Sequence, residues 1–583
     1  MLRRSRPTLL SQLNTDNCSE NIIDVLRCHL KSPSDCQQIC FLIDGEEQES
    51  IQTYSELLES VRCMAGALRG LNLVGERVQI VLPAGLSYLH AMLACMWIGA
   101  IAIPLSVPRP KRHHNRLTRV AQNAEACAMI TSEATMAARS QLFSSFEENN
   151  QCSILTCEQL ALGNPCSKPT PHTDTAYLQY TSGSTQDPKG VIVTHDNLLA
   201  NCRAIALASD CGPEDTIVSW LPLFHDMGLV GGLFVSLFCG CPFVFMSPEA
   251  FVMKPARWLR AISKYRGTIS PAPNFAYDLC SQKVDSNQQA ELDLSSWRVA
   301  WNGAETVRDS SIELFLESFA SCGFAAESMR PCYGLAESTL LVSSTPLNQR
   351  PAFKFVNREA LRDGEVIDDP AGQALVSCGI PADKTKIQIV DPNNRQPLPP
   401  NSLGEIWVSG DSVTPGYWNN SKVSEQTYCQ QPLDNSDQYL ATGDLGFVCD
   451  GELYIAGRVK DIMILDGRNL YPEDLEAIAE QVAPPKLRGC VIAFSVQGER
   501  SERVILTVAI YERHPDVAAI RDLEQQIRTA ISCHADIPIS EVIFVRPRSL
   551  PKTSSGKKQR QECRDMYLTD KLEILPNARH TDE

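Results

Sequence analysis

The sequence predicts an α/β protein: a large N-terminal domain of layered α/β subdomains ending in a β-rich lobe, then a small mobile C-terminal α/β domain. Three observations predict it. Apolar strands alternate with helical stretches up to about residue 330, the pattern of βαβ units and a largely parallel sheet. In the third quarter the pattern changes to alternating strands and a hairpin signal. The last part, about 461–583, carries strand and helix signals of its own, enough for a separate small domain. A chain of 583 residues is also too long for one core.

The elements follow in order. Thr53 and Glu56 make a capping-box pattern, and Leu57, Leu58, Val61, Met64, Ala65, Leu68 and Leu71 fall on one face of the helix behind it. The run ERVQIVLP (76–83) reads as a strand, Tyr88 to Ile98 as a helix, and Ala100 to Leu105 as another strand. TAYLQY (175–180) and GVIVTH (190–195) read as strands flanking a Gly/Ser/Thr loop, with Asp196 expected to cap the next helix and TIVSWLP (216–222) to be a further strand. The apolar stretch Leu229 to Met246 is long enough to span a bilayer. It is interrupted by Gly231, Gly232, Gly240 and Pro242, so a buried helix, turn and strand is the better account. GEIWVSG (404–410) alternates as a strand, and Asp450-Gly451 between apolar runs signals a hairpin. Beyond it, Gly489 to Phe494, Val504 to Tyr511 and Glu541 to Val545 read as strands, Ile520 to Ser532 as a helix, and the polar tail from Pro576 as mobile.

Composition excludes several classes. Hydrophobic residues make up 43% and charged residues 21%, ordinary for a folded soluble protein. A net charge of −16 disfavours nucleic acid and anionic lipid as partners. The 23 cysteines are odd in number, scattered, and form no C-x-x-C pair of metal-binding spacing, which suits reduced thiols and a cytoplasmic protein. The N-terminus lacks the apolar region of a secretory signal. No integral membrane contact is expected.

The chemistry concentrates in Tyr180-Thr-Ser-Gly-Ser-Thr-Gln-Asp-Pro-Lys-Gly190, between two strands. Thr181, Ser182, Ser184 and Thr185 offer hydroxyls, Gly183 exposes backbone N–H groups, and Lys189 adds a cation. Those are the parts that cradle a polyphosphate. On composition alone a Ser/Thr-rich surface turn explains the segment equally well. It is not a Walker A loop, since G-x-x-x-x-G-K-[ST] is missing from the chain.

This segment resembles the phosphate loop of the acyl- and aryl-adenylate-forming superfamily, which includes acyl-CoA synthetases, luciferases and peptide-synthetase adenylation domains. Four further segments match that family in its order: Tyr333-Gly334-Leu-Ala-Glu337, Tyr439-Leu-Ala-Thr-Gly-Asp444, Gly457-Arg-Val-Lys-Asp461 and Pro551-Lys-Thr-Ser-Ser-Gly-Lys557. The resemblance runs from about residue 20 to 570. It implies two half-reactions: attack of a carboxylate on the α-phosphate of ATP with loss of pyrophosphate, then transfer of the acyl group from AMP to a thiol.

By resemblance, Thr181 to Thr185 and Lys189 hold the β- and γ-phosphates, Glu337 and Thr185 serve Mg²⁺, and Tyr333 stacks on adenine. Asp444 binds the ribose hydroxyls and Arg458 a ribose or phosphate oxygen. Lys557 is the implied catalytic lysine. Where the family often has Ile or Leu next, this chain has Lys558, so either lysine is a candidate. Asp461 matches the hinge about which the small domain turns between half-reactions. The implied division is 1–458 for the large domain, 459–462 for the hinge and 463–583 for the lid, with ATP at their junction.

WLPLFHDMGLVGG (220–232), Asn302-Gly303-Ala304-Glu305 and Gly467-Arg-Asn-Leu-Tyr-Pro472 resemble the fatty acyl-AMP ligase branch, and by that resemblance Gly303, Ala304, Glu305 and Gly334 join Tyr333 in binding the nucleotide. His225 would lie near the acyl carboxylate, against the alternative of a structural histidine. An extra stretch at about 344–376 matches an insertion linked in that branch to poor use of free CoA. The expected acceptor is therefore the phosphopantetheine thiol of an acyl carrier protein or carrier domain, and the expected substrate a fatty acid. The rivals are an acyl-CoA synthetase and a catalytically silent nucleotide-binding protein. Met227 to Phe238 and Ile269 to Leu279 supply candidate walls for an apolar acyl pocket, or ordinary core.

Overall fold

The structure is a computed structural model that describes residues 20–31, 37–108, 114–149, 152–170, 173–180, 188–428, 430–431, 438–465, 468–483, 491–498, 502–510, 516–535, 539–546, 549–552 and 558–575. Mixed α/β layers make up a large N-terminal part, and a smaller α/β unit follows it.

The first layered unit has a six-stranded sheet in the order Ser153–Thr156, Ala128–Thr131, Arg77–Val81, Ile101–Leu105, Thr175–Tyr180, Gly190–Thr194. Its strands pair in parallel except the last two, which are antiparallel and bracket the Ser/Thr-rich loop. The alternation in the sequence did not reveal that reversal: two apolar strands separated by nine residues read the same whether the chain turns back or crosses over.

The second unit is a nine-stranded sheet. Its centre, from Met329–Gly334 through Val299–Gly303, Ile269–Pro273, Ile217–Ser219 and Phe243–Met246 to Gln38–Leu42, is parallel. Antiparallel strands close both edges. Helices Tyr54–Gly70, Leu86–Ile98 and His195–Ser209 belong to the main apolar core between these sheets. Thr53 and Glu56 form the expected reciprocal cap. Leu71, assigned by periodicity to the buried face, is half exposed because the helix ends at Gly70 and Leu71 is its C-cap. Asp196 does not cap the helix at 195: Thr194 does, in a capping box with Asn197, and Asp196 sits in the first turn where a carboxylate suits the dipole.

The stretch 229–246 is buried, as its glycines and proline indicated. Leu229–Phe234 forms a π-helical turn, Val235–Cys239 an α-helical one, Gly240 a left-handed cap, and Phe243–Met246 a central strand. Among the described residues no helix is long and apolar enough to cross a membrane.

A four-stranded antiparallel sheet, Lys386–Val390, Gly404–Ser409, Leu440–Cys449 and Glu452–Arg458, forms the β-rich lobe. Asp450 and Gly451 both have φ > 0, the turn that a right-twisted two-residue hairpin needs. The segment 344–376 folds into a small antiparallel pair, Phe353–Val356 with Gln373–Val376, and a short helix Arg358–Arg362. After Arg458 comes a 3₁₀ turn, Val459–Asp461. The smaller unit then has the hairpin Met463–Leu465/Arg468–Leu470, the helix Pro472–Val482, and the sheet Val491–Gln497, Glu502–Ala509, Glu541–Val545 under the helix Val517–Ala535. It has its own apolar cores. Gly489, Tyr511 and the tail from Pro576 lie outside the described residues. The described cysteines include no disulfide and are mostly buried.

Candidate active site

The sequence-selected residues that are described converge on one cleft of about 3020 Å³, walled by both layered units, the β-rich lobe and the smaller C-terminal unit. Lys189, His225, Ala304, Glu305, Tyr333, Gly334, Glu337, Asp444, Arg458 and Asp461 all line it. Gly303 ends the strand beneath. Thr181, Ser182, Gly183, Ser184, Thr185 and Lys557 lie outside the described residues.

Two adjacent strands of the large sheet deliver the first group. A Cβ on Gly303 would meet the Cys332 sulfur at 2.7 Å and its carbonyl oxygen at 2.8 Å, so only glycine allows this approach. Ala304 follows with φ of 66°, a left-handed conformation unusual for a residue with a side chain. The turn throws Glu305 back, where its Oε1 accepts from the Phe275 amide at 2.6 Å and caps the start of helix Asn274–Lys283. That carboxylate therefore braces the scaffold, a use the tetrapeptide motif did not reveal. On the neighbouring strand a bulge falls between Tyr333 and Gly334. A Cβ on Gly334 would stand 1.8 Å from the Leu340 carbonyl oxygen.

The Tyr333 hydroxyl donates to Asp444 Oδ2 at 2.6 Å, and Arg458 Nε donates to Asp444 Oδ1 at 2.8 Å. Asp444 and Arg458 are cross-strand partners in the β-rich lobe, so the hairpin sets their distance. Burial and the Asp444 charge push the Tyr333 phenol well above its usual range, so it stays a donor at neutral pH. The Asp444 charge, first, holds the Arg458 guanidinium above its ordinary value.

The second group surrounds Glu337, in a 3₁₀ turn at Ala336–Ser338. Its Oε1 accepts from the Tyr417 hydroxyl at 2.8 Å, and its backbone carbonyl accepts from both the amide and the hydroxyl of Thr414 at 3.0 Å. Lys189 lies 5.3 Å from the centre of the Tyr417 ring, a cation–π distance. Burial, with Lys460 nearby, lowers the Lys189 ammonium from its usual value, while Glu337 works the other way. Tyr417 was missed in the sequence: it stands in no motif and 80 residues from Glu337. Among the described residues no cluster of three or more His, Cys, Asp or Glu could hold a metal by itself. A single carboxylate with free lone pairs in a cleft is what Mg²⁺ uses when substrate phosphates complete its shell.

His225 Nδ1 lies 2.6 Å from Asp226 Oδ1, and it caps the short turn Asp226–Gly228 through the Met227 amide at 3.4 Å. Gln179, one residue before the phosphate-loop segment, donates to the Phe224 carbonyl at 2.9 Å and so ties that loop's base to the His225 turn. Of the proposed acyl walls, Met227, Gly231, Phe275 and Leu279 line the cleft, while Leu233 and Phe234 are fully buried core. Lys558 is held between Glu476 and Glu480. Asp461 accepts from Arg560 at 2.9 Å.

Residues 34–418 match the AMP-binding enzyme family. The chain belongs to the AMP-binding enzyme family. Among members it is 37% identical, over 95% of its own length and 96% of the relative's, to the medium-chain-fatty-acid–[acyl-carrier-protein] ligase JamA of Moorena producens. A solved structure from work on fatty acyl-adenylate ligases of E. coli and L. pneumophila superimposes with a TM-score of 0.86 at 32% identity, covering 94% of this chain and 98% of that one. A fatty acyl-adenylate ligase of L. pneumophila, solved with acyl adenylate and pyrophosphate, matches with a TM-score of 0.73 at 33% identity, covering 95% and 97%. This chain shares the family's fold of a large N-terminal and a smaller C-terminal domain, and it is an adenylate-forming ligase.

Proposed function

We propose that the protein activates a fatty acid with ATP and Mg²⁺ as its acyl-adenylate, releasing pyrophosphate, and then passes the acyl group to the phosphopantetheine thiol of an acyl carrier protein. The observation that carries this reading is the meeting, in one cleft, of the Tyr333–Asp444–Arg458 triad with the Lys189–Tyr417–Glu337 cluster. The first suits a nucleoside: a planar ring beside an acceptor-only carboxylate that can accept hydrogen bonds from two hydroxyls. The second suits a polyphosphate with its cation.

In this reading Asp444 and Arg458 fix the ribose, and Tyr333 packs against adenine. Lys189 and residues 181–185 hold the β- and γ-phosphates. Glu337 holds Mg²⁺, which screens the charge of the phosphates when bound. His225, oriented by Asp226, faces the acyl carboxylate, and Lys557 bridges that carboxylate to the α-phosphate. Two anions must approach each other, so the residues' main contribution is positive charge at fixed positions. Residues 459–462 act as the hinge between a large domain, 1–458, and a lid, 463–583, and a hinge motion that withdraws Lys557 opens the site to the thiol.

The carrier protein as acceptor rests on two supports: the name of the Moorena relative, and the extra segment 344–376, whose Gln373 donates to Asp474 in helix Pro472–Val482. A cytoplasmic setting accords with the buried, unpaired thiols. The test is pyrophosphate release with ATP, Mg²⁺ and a series of fatty acids, followed by thioester analysis with CoA or a phosphopantetheinylated carrier. Acyl-carrier formation with little acyl-CoA is the expected result. Rapid acyl-CoA formation would overturn the acceptor assignment, and no pyrophosphate with any fatty acid would overturn the substrate class.

A further inference from the structure

Lys558 stands where the superfamily motif commonly has an aliphatic residue, and its surroundings give it a task of its own. Its ammonium lies 2.8 Å from Glu476 Oε2 and 3.0 Å from Glu480 Oε1. The lysine side chain is 14% exposed and the two carboxylates 2% and 4%. Each carboxylate also has a second cation. Arg560 binds both oxygens of Glu476, at 2.8 and 3.0 Å, and reaches Asp461 at 2.9 Å and Glu473 at 2.8 Å. Arg308, from the loop before helix Asp309–Phe319 in the large domain, binds Glu480 Oε2 at 2.7 Å. The charges alternate without a break: Asp461, Arg560, Glu476, Lys558, Glu480, Arg308. The line runs from the turn after the β-rich lobe, through the C-terminal unit, into the large domain.

The backbone beside Lys558 is fixed as well. Lys558 forms a β-bridge with Lys552, and the Gln559 amide donates to the Pro551 carbonyl at 3.1 Å. An ammonium held by two buried carboxylates would have to break two charge-assisted hydrogen bonds before it could reach a phosphate. An aliphatic side chain at 558 would leave Glu480 with Arg308 alone. Burial of such a carboxylate is tolerated only when its charge is met.

We infer that Lys558 is a positioning residue for acyl-adenylate formation: by bridging Glu476 and Glu480 it pins the bridged backbone at Pro551–Lys552 and Lys558–Gln559 to helix Pro472–Val482 and, through the shared Glu480–Arg308 pair, to the large domain. This rests on the proposed function. It also separates the two adjacent lysines, leaving Lys558 outside the reaction itself.

The test compares Lys558→Met, Lys558→Arg and Glu480→Gln with the wild type in pyrophosphate release under ATP and a fatty acid that the wild type accepts. Lys558→Met is expected to lower kcat by about 10- to 100-fold, the scale of a displacement near 1 Å at the reacting groups, with KM values nearly unchanged. Lys558→Arg restores most of the rate, since it spans the same two acids. Glu480→Gln, which keeps the side chain's shape, gives a similar kcat loss and serves if Lys558→Met fails to fold. A wild-type rate in Lys558→Met overturns the inference. So does a total loss that Lys558→Arg does not rescue, because the ammonium itself would then touch the reacting groups. No pyrophosphate from the wild type with any fatty acid overturns the proposed function and this inference together, whereas an active wild type with an indifferent Lys558→Met overturns the inference alone.

Discussion

Glu337 owes its orientation to a residue that no motif contains. The Tyr417 hydroxyl occupies one of its oxygens, and the same ring lies under Lys189. One aromatic side chain thus places both charges expected to meet the phosphates and their cation. Tyr417→Phe keeps the ring and removes the hydrogen bond, which is worth about 0.5–1.5 kcal/mol. The expected outcome is a KM for Mg-ATP raised about two- to tenfold with little change in melting temperature, read by initial-rate kinetics. For Lys557 the expectation is sharper: Lys557→Ala should nearly abolish acyl-adenylate formation and leave the circular dichroism spectrum unchanged. The candidate residues stood out in the sequence because they lie in contiguous motifs, and some contacts within them are local: Gly334 has no room for a side chain beside Leu340, and Asp444 and Arg458 are neighbours across one hairpin. Tyr417, Gln179 and the bracing task of Glu305 were not, because each acts on a partner distant in the chain.

At the scale of elements, the segment 344–376 is an ordered piece with its own strand pair and helix, whereas its sequence suggested only an extra stretch. Gln373 donates to Asp474, and Arg358 and Arg362 lie near enough to offset, in part, the burial that raises the Asp474 carboxyl. It therefore reaches from the large domain onto the helix that carries Glu476 and Glu480. Replacing it with a short Gly/Ser linker should leave pyrophosphate release near wild type and raise the rate of acyl-CoA formation several-fold. Acceptor preference identical to wild type would remove the gating role from this segment. Strands, the hairpin and the Thr53–Glu56 cap were legible from period and turn chemistry. The antiparallel return at Gly190–Thr194 and the Thr194 cap were decided by pairing and by the strand's exit direction.

At the scale of the whole molecule, a line of buried charge joins the smaller unit to the larger. Burial works against the Glu476 carboxylate, but Arg560 and Lys558 outweigh it and hold the group at about 2, below its ordinary 4.5. The pairing therefore contributes fully above about pH 4.5 and is lost as the pH falls through about 2. Burial raises the neighbouring Glu473, which opposes part of this acid loss. Glu476→Gln should cost about 3 kcal/mol at neutral pH and converge on wild type towards pH 2, measured by denaturant melts across pH.

By itself the sequence determined the strand and helix pattern, the hairpin and the family, and it singled out candidate site residues, because period, turn residues and contiguous motifs are local properties of a chain. Only the tertiary structure decided which side chains meet. The Glu337–Tyr417 bond, the Gln179 tether, the docking of 344–376 on helix Pro472–Val482 and the clamp on Lys558 each join residues far apart in sequence or in separate domains. Such contacts depend on how sheets stack and domains close, and burial then makes their hydrogen bonds and charges strong enough to matter.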